Sequence, residues 1–97
     1  MSSPLALRLR AARKAANLTQ QRLGIQLGMD PNTASARINQ YEKGKHAPDY
    51  QTAQRMAAEL GVPVAYLYCE EDVLAELICK ISKLEEAEQL ELLDKLK

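Results

Sequence analysis

Residues 19–44, TQQRLGIQLGMDPNTASARINQYEKG, decide the fold because they hold two helix patterns separated by a glycine. Apolar residues recur on one side of a helix over about residues 20–27. That side consists of Leu18, Leu23, Ile25 and Leu27. Thr19 suits the N-cap of this helix. Gly28 follows the last apolar residue, where a left-handed residue commonly ends a helix.

The second helix of this stretch is predicted to begin at Asp30-Pro31, as N-cap and first helical residue. Ala34, Ile38 and Tyr41 share one side of it and are expected to be buried. The remaining surface is mostly small and polar, and it consists of Asn32, Thr33, Ser35, Ala36, Arg37, Asn39 and Gln40. Such side chains can pair with base edges in the major groove, although a polar helix face can also be simply solvated. The two-helix context favours DNA, since a helix-turn-helix presents its second helix to it.

Length and composition limit the kinds of protein this chain can be. At 97 residues it is expected to form one domain with a short appended element. With four Tyr and no Phe or Trp, its core must be built from Leu, Ile, Val, Ala and Met. No apolar run is long enough to span a membrane, and residues 1–5 lack the pattern of a signal peptide. A cytoplasmic protein without membrane contact is therefore expected.

Charge is distributed unevenly although the formal net charge is zero. Residues 1–48 hold eight basic and two acidic side chains, a net charge of +6. Residues 49–97 hold five basic and eleven acidic side chains, a net charge of −6. A basic half suits a polyanionic partner, which an acidic half would repel. We expect the two halves to have different roles, and chance segregation of surface charge is the alternative.

Neither a metal site nor an active site is predicted. Cys69 and Cys79 lie ten positions apart with no CxxC spacing, and we expect both to be reduced. Cys79 stands among apolar residues and is expected to be a small core residue. Structural metal sites need about four ligands in Cys/His spacing. The sequence also shows no nucleophile–base pair and no glycine-rich phosphate loop, so neither an enzyme nor a cofactor is expected.

Three further helices are predicted around the first two. One follows Pro4 and ends at Asn17, a residue that tolerates a left-handed conformation. Its apolar side consists of Leu5, Leu9, Ala12 and Ala16. Another runs from the N-cap Asp49 to Gly61. Its buried side is predicted to consist of Tyr50, Ala53, Met56 (or Ala57) and Leu60. A short helix after Pro63 should return Tyr66 and Leu67 to the core.

The C-terminal residues form a broad apolar stripe whose members become less regularly spaced toward the end. They are Val73, Leu74, Leu77, Ile78, Ile81, Leu84, Leu90, Leu93 and Leu96. Ser82 with Glu85 fits a capping box, so the helix is predicted to break near Ser82, with one continuous helix as the alternative. The stripe must either fold back on the core or pair with a second copy. We expect pairing, a homodimer through residues 71–97.

The order of these elements, and LTQQRLGIQLG and INQYEKGK in particular, resembles the lambda-repressor-like helix-turn-helix family over about residues 5–68. The resemblance implies an all-α fold, with a five-helix DNA-binding domain over residues 1–69. One or two additional helices over residues 70–97 would form the dimerisation element. It also implies a sequence-specific transcriptional regulator of double-stranded DNA, a repressor that binds a two-fold operator as a dimer.

The resemblance also implies roles for individual residues. Gln20 matches a glutamine that contacts a phosphate and braces the third helix. Arg13 matches a basic residue that forms an architectural ion pair with Glu42. Ser35, Ala36 and Gln40 match base-reading positions, whereas Asn32 and Thr33, which are also candidate base readers, have no counterpart. The candidate phosphate contacts are Gln20, Arg10, Arg22, Lys43 and Lys45.

The chain departs from the family pattern in two respects. Residues 29–34, MDPNTA, lengthen the segment between Gly28 and Glu42 by about one helical turn. They either extend the third helix at its N-terminus or enlarge the turn. In addition, Gly24 stands where the family usually has Ala, and Arg22 replaces a common acidic residue.

An alternative function lies in the protein-interaction class. The acidic, leucine-rich residues 71–97 could bind a different protein, as in an antitoxin or an auxiliary subunit. DNA binding would then be secondary.

Overall fold

The structure is a computed structural model that describes residues 3–97, so the first two residues of the expected domain 1–69 lie outside the described part. Residues 3–97 form helices and no strand, which confirms the all-α prediction. The helices are α1 (Leu5–Ala15), α2 (Gln20–Gln26), α3 (Ala34–Glu42), α4 (Tyr50–Leu60), α5 (Val64–Leu67), α6 (Asp72–Ser82) and α7 (Glu86–Lys95).

The predicted ends of the first two helices and of α4 are present in the structure. The Thr19 hydroxyl accepts a hydrogen bond from the Arg22 N–H at 3.0 Å, and Asp49 Oδ1 accepts one from the Thr52 N–H at 2.8 Å. Asn17 has φ 58°, in the left-handed region, so the chain leaves α1 there. These local signals confirm where α2 and α4 begin.

The hydrophobic core is enclosed by the five helices α1 to α5. Its buried residues are Leu5, Leu9, Ala12, Leu23, Leu27, Ile38, Ala53, Met56, Ala57, Leu60 and Leu67. Tyr50 was predicted on the buried side of α4, but it is 57% exposed because it is the first residue of that helix, outside the core. Ile25 is 37% exposed, because it lies about 200° around α2 from the buried Leu23.

The prediction that the third helix begins at Asp30-Pro31 was wrong. Asp30 Oδ1 accepts a hydrogen bond from the Asn32 N–H at 2.8 Å, and the Asp30 carbonyl accepts from the Ala34 N–H at 2.9 Å. Thr33 has φ −119°, and α3 begins only at Ala34. An Asp followed by Pro suits this side-chain-closed turn as well as it suits a helix start. The additional residues therefore enlarge the turn and do not lengthen α3.

The helix break predicted near Ser82 is confirmed, but its capping is different from the prediction. The Ser82 hydroxyl donates a hydrogen bond to the Cys79 carbonyl at 2.7 Å, inside the last turn of α6, so it does not cap α7. Glu85 precedes α7 and forms the capping box with Glu88, whose Oε1 accepts from the Glu85 N–H at 3.1 Å. The predicted capping box of Ser82 and Glu85 was therefore wrong.

Helix α6 is attached to the core over a small area, and α7 exposes all of its leucines at least in part. Ala75 is the buried residue of α6, and Cys79 is half-buried where a core position was expected. We call the exposed apolar residues of this region the C-terminal apolar face. They are Val73, Leu74, Leu77, Leu84, Leu90, Leu93 and Leu96. Among the helices formed by residues 3–97, none combines the length and apolar character needed to cross a bilayer.

Candidate nucleic-acid interface

Helix α3 is fixed to the protein along one side only. Ala34 and Ile38 are fully buried, and Glu42 is 9% exposed. The opposite side carries polar and small residues. Of these, Ser35, Ala36, Arg37 and Gln40 are exposed and Asn39 is half-buried. One side thus anchors the helix while the other side can meet a ligand.

Gln20 on α2 braces α3 through three hydrogen bonds. Its Nε2 donates to Asn39 Oδ1 and to Glu42 Oε1, both at 3.2 Å. Its Oε1 accepts from the Ser35 hydroxyl at 3.3 Å. Two side chains on the outer side of α3, Ser35 and Asn39, are therefore oriented by a residue of another helix.

Arg13 and Glu42 form a buried, two-pronged ion pair between α1 and α3. Arg13 Nε lies 2.6 Å from Glu42 Oε2, and Nη2 donates to Oε1 at 3.1 Å. Nη1 of the same arginine donates to the Leu18 carbonyl at 2.7 Å. The two side chains are 11% and 3% exposed. Because each prong uses its own oxygen, the pair fixes the direction of α3 as well as its distance from α1.

Part of the candidate phosphate set surrounds a single polar cleft of about 370 Å³ beside α3. Arg10, Gln20 and Lys43 line it together with Arg13, Asn39 and Glu42. Arg22, in the first turn of α2, and Lys45, beyond the end of α3, do not line this cleft, although both are exposed. The structure thus brings three of the five candidates together and leaves two at the margins.

The other two base-reading candidates, Asn32 and Thr33, lie in the enlarged turn and not on α3. Both are exposed. Gln21 Nε2 on α2 donates to the Pro31 carbonyl at 3.2 Å and ties this turn to the protein. Asn32 and Thr33 therefore stand ahead of the α3 N-terminus in a separate, tethered segment.

The sequence alone assigns no role to Arg55 on α4, but the structure does. Its Nη2 donates to the Leu27 carbonyl at the C-terminus of α2. It also lies 3.8 Å from the position that a Cβ on Gly28 would occupy. Arg55 therefore supports the start of the turn. No local pattern indicates this contact, because the partners are 28 residues apart.

Comparison with known proteins identifies a family and a similar solved structure. The family model described as helix-turn-helix matches residues 9–67, which include both helices of the site. The crystal structure of transcriptional regulator BswR is similar, with 48% sequence identity and a TM-score of 0.89. The similarity covers 94% of this chain and 90% of that chain. No curated protein matches the chain.

Proposed function

Because this chain belongs to the lambda-repressor-like helix-turn-helix family, we propose that it represses transcription by binding a two-fold DNA operator as a homodimer. Family membership and the similarity to a transcriptional regulator make it a non-enzymatic DNA-binding transcriptional regulator. One observation supports the use of α3 to read DNA. Helix α3 is anchored through Ala34, Ile38 and Glu42, while its opposite side stays exposed.

In this proposal the exposed side of α3 lies in the major groove and reads base edges. Arg37 offers a bidentate donor suited to guanine, and Gln40 offers a donor and an acceptor suited to adenine. Ser35, Ala36 and Asn39 contribute the shorter contacts. Asn32 and Thr33, in the enlarged turn, contact DNA next to the α3 N-terminus.

Phosphate contacts are proposed for the polar cleft and its margins. Arg10, Gln20 and Lys43 around the cleft would contact phosphates, with Arg22 and Lys45 beside it, and the four basic side chains among them would neutralise phosphate charge. Such contacts fix the register of a protein on DNA without reading its sequence. The net charge of +6 in residues 1–48 supports this placement.

The C-terminal apolar face is proposed to pair with the same face of a second copy. Val73, Leu90 and Leu96 are 74%, 58% and 74% exposed, more apolar surface than single surface residues explain. We treat residues 1–69 as the DNA-binding domain and residues 70–97 as the dimerisation element. Two α3 helices held in this way would read half-sites about one helical turn, roughly 34 Å, apart.

Selection of bound sites from a random pool of DNA duplexes tests the operator. We expect enrichment of a motif with two inverted half-sites about 10 base pairs apart, centre to centre. Enrichment of a single unrepeated motif would contradict two-fold binding. Repression is tested by transcription in vitro from a promoter that overlaps the selected site.

The exposed leucines also favour a second candidate function, binding of a different protein through the same face. Light scattering of the full chain separates the two functions. We expect a homodimer that becomes monomeric in Leu90→Glu/Leu93→Glu, whereas Gln54→Glu, an exposed change on α4, leaves it intact. A wild-type chain that stays monomeric at micromolar concentration would contradict the homodimer and favour the antitoxin-like or auxiliary function.

A further inference from the structure

Arg8 on α1 lies where the chain leaves α5 and enters α6. Its Nε donates to the Cys69 carbonyl at 2.9 Å, and its Nη2 donates to the Glu70 carbonyl at 3.0 Å. The same Nη2 lies 2.9 Å from Asp72 Oδ1, and the guanidinium lies 5.7 Å from the centre of the Tyr66 ring. The Arg8 side chain is only 13% exposed. This arginine therefore belongs to the interior of the junction and not to the basic outer surface.

The two hydrogen bonds from Arg8 to the Cys69 and Glu70 carbonyls fix the backbone direction at this junction. The planar guanidinium presents its N–H groups in a fixed fork, so two neighbouring carbonyls that accept from it are fixed in direction. Lysine cannot reproduce that fork, because its ammonium group is a point charge on a flexible stem. The Asp72 carboxylate is 93% exposed, so its ion pair with Arg8 contributes little by itself.

Helix α6 has few other attachments that could set its direction. Ala75 is its one buried residue, and Ile78, Cys79 and Ile81 are half-buried. A helix with one small buried residue near its start, and only half-buried side chains farther along, is held weakly beyond that residue and can pivot about it. The hydrogen bonds of Arg8 to Cys69 and Glu70 supply a second fixed point just ahead of α6, and two points restrict the pivot.

We propose that Arg8 is a positioning residue that sets the direction of α6 relative to α3, and with it the separation of the two α3 helices in the dimer. This inference rests on the proposed function, since it requires residues 70–97 to join the two copies. Both α3 helices can engage one operator only when their separation matches the half-site spacing. When α6 pivots freely in each copy, the second α3 helix gains less affinity for its half-site from being tethered to the first.

The test uses the full chain in three variants and DNA from the selected operator. Arg8→Met removes the fork, Arg8→Lys keeps the charge without it, and Lys14→Met removes an exposed charge from the same helix as the control. The probes are a duplex with both half-sites, a duplex with one half-site scrambled, and duplexes with one or two base pairs inserted between half-sites. Self-association is measured by analytical ultracentrifugation and stability by urea unfolding.

We expect Arg8→Met to stay folded and dimeric and to bind the single half-site within about twofold of the wild type. Its affinity for the duplex with both half-sites should fall at least about tenfold, because part of the gain from binding the two half-sites together is lost. It should bind the lengthened duplexes nearly as well as the native spacing. Arg8→Lys should resemble Arg8→Met, while Lys14→Met should discriminate spacing as the wild type does.

Two results would overturn the inference. One is Arg8→Met with the wild-type affinity and spacing preference. The other is equal weakening on single and double half-sites, which indicates a role in stability alone.

The failure of the proposed dimer would be visible separately, because the wild type would then bind single and double half-sites equally. In that case residual dipolar couplings of backbone N–H groups still decide whether Arg8 positions α6. We expect the α6 couplings to fit the frame of α1–α5 in the wild type and to be reduced in Arg8→Met. Unchanged couplings would refute the inference.

Discussion

Gly24 on α2 faces Ala34 on α3 at backbone distance. A Cβ added to Gly24 would lie 2.6 Å from the Ala34 Cβ, 3.0 Å from its Cα and 3.1 Å from its carbonyl oxygen. Ala34 is the first residue of α3, directly after the enlarged turn. The absence of a side chain at Gly24 therefore lets α3 begin against α2 despite the additional residues in the turn.

Gly24→Ala should lower the free energy of unfolding by about 1–2 kcal/mol. Overpacking costs about 1–3 kcal/mol, and alanine regains up to about 1 kcal/mol in helix propensity. Urea denaturation measures the difference. Gln26→Ala, an exposed change on the same helix, is the control and should have little effect. Equal stability of the two variants would show that the α2–α3 contact is looser than the geometry indicates.

Arg13→Met should destabilise the fold by about 3–5 kcal/mol, because it leaves the buried Glu42 carboxylate without its cation. The double variant Arg13→Met/Glu42→Met should be less destabilised than the sum of the single changes, since no charge is left unpaired. Urea denaturation of the wild type and three variants provides the cycle. Additive losses would mean that the two side chains act independently. DNA affinities of Arg13 variants need correction for the unfolded fraction.

Asp49 should make part of the stability dependent on pH. Its hydrogen bonds with Thr52 lower the pKa of the Asp49 carboxyl below its ordinary value of 3.8. A lowered pKa in the folded state means that the contribution is present above about pH 3.8 and is lost as the pH falls through the folded-state value. The difference in Tm between the wild type and Asp49→Asn, which keeps a capping oxygen, should therefore shrink below pH 3.8. A constant difference would exclude the carboxylate as its source.

Gln40→Ala should relax specificity at one base pair of each half-site, at a cost of about 1–3 kcal/mol on the preferred sequence. The reason is that Gln40 is exposed on the side of α3 that is proposed to face the bases, whereas Ala34 and Ile38 are buried on the other side. Competition binding against the four base substitutions at each position measures the change. If all sequences weakened equally, Gln40 would not be a base reader.

Lys45→Ala should weaken binding to all sequences alike. Loss of one phosphate contact should reduce the slope of log affinity against log salt by about 1 per half-site. Titrations at several salt concentrations measure the slope. Lys43→Ala is the comparison variant. A slope that Lys45→Ala leaves unchanged would mean that Lys45 does not contact the DNA backbone.

Features with a local cause could be predicted from the sequence. The N-caps at Thr19 and Asp49 and the left-handed residue Asn17 depend on neighbours within three residues. The helix break near Ser82 is also local. Asp30 shows the limit of such signals, because its side chain closes a turn with the Asn32 N–H as readily as it caps a helix.

Contacts between distant residues could not be predicted from pattern alone. Arg8 and Arg55 each donate to backbone carbonyls, at separations of 61 and 28 residues. A carbonyl is present at every residue, so no residue type marks the acceptor. The contact of Gly24 with Ala34 is likewise visible only once the enlarged turn has placed α3.

The hydrogen bonds of Gln20 divide the outer residues of α3 into two groups with different freedom to change in evolution or in design. Ser35 and Asn39 each serve Gln20 as well as facing outward, so replacing them disturbs the junction of α2 and α3. Ala36, Arg37 and Gln40 make no such bond among the described residues. With α3 reading DNA as proposed, a regulator on this scaffold would acquire a new target site most easily by exchanging those three residues and retaining the pair that Gln20 holds.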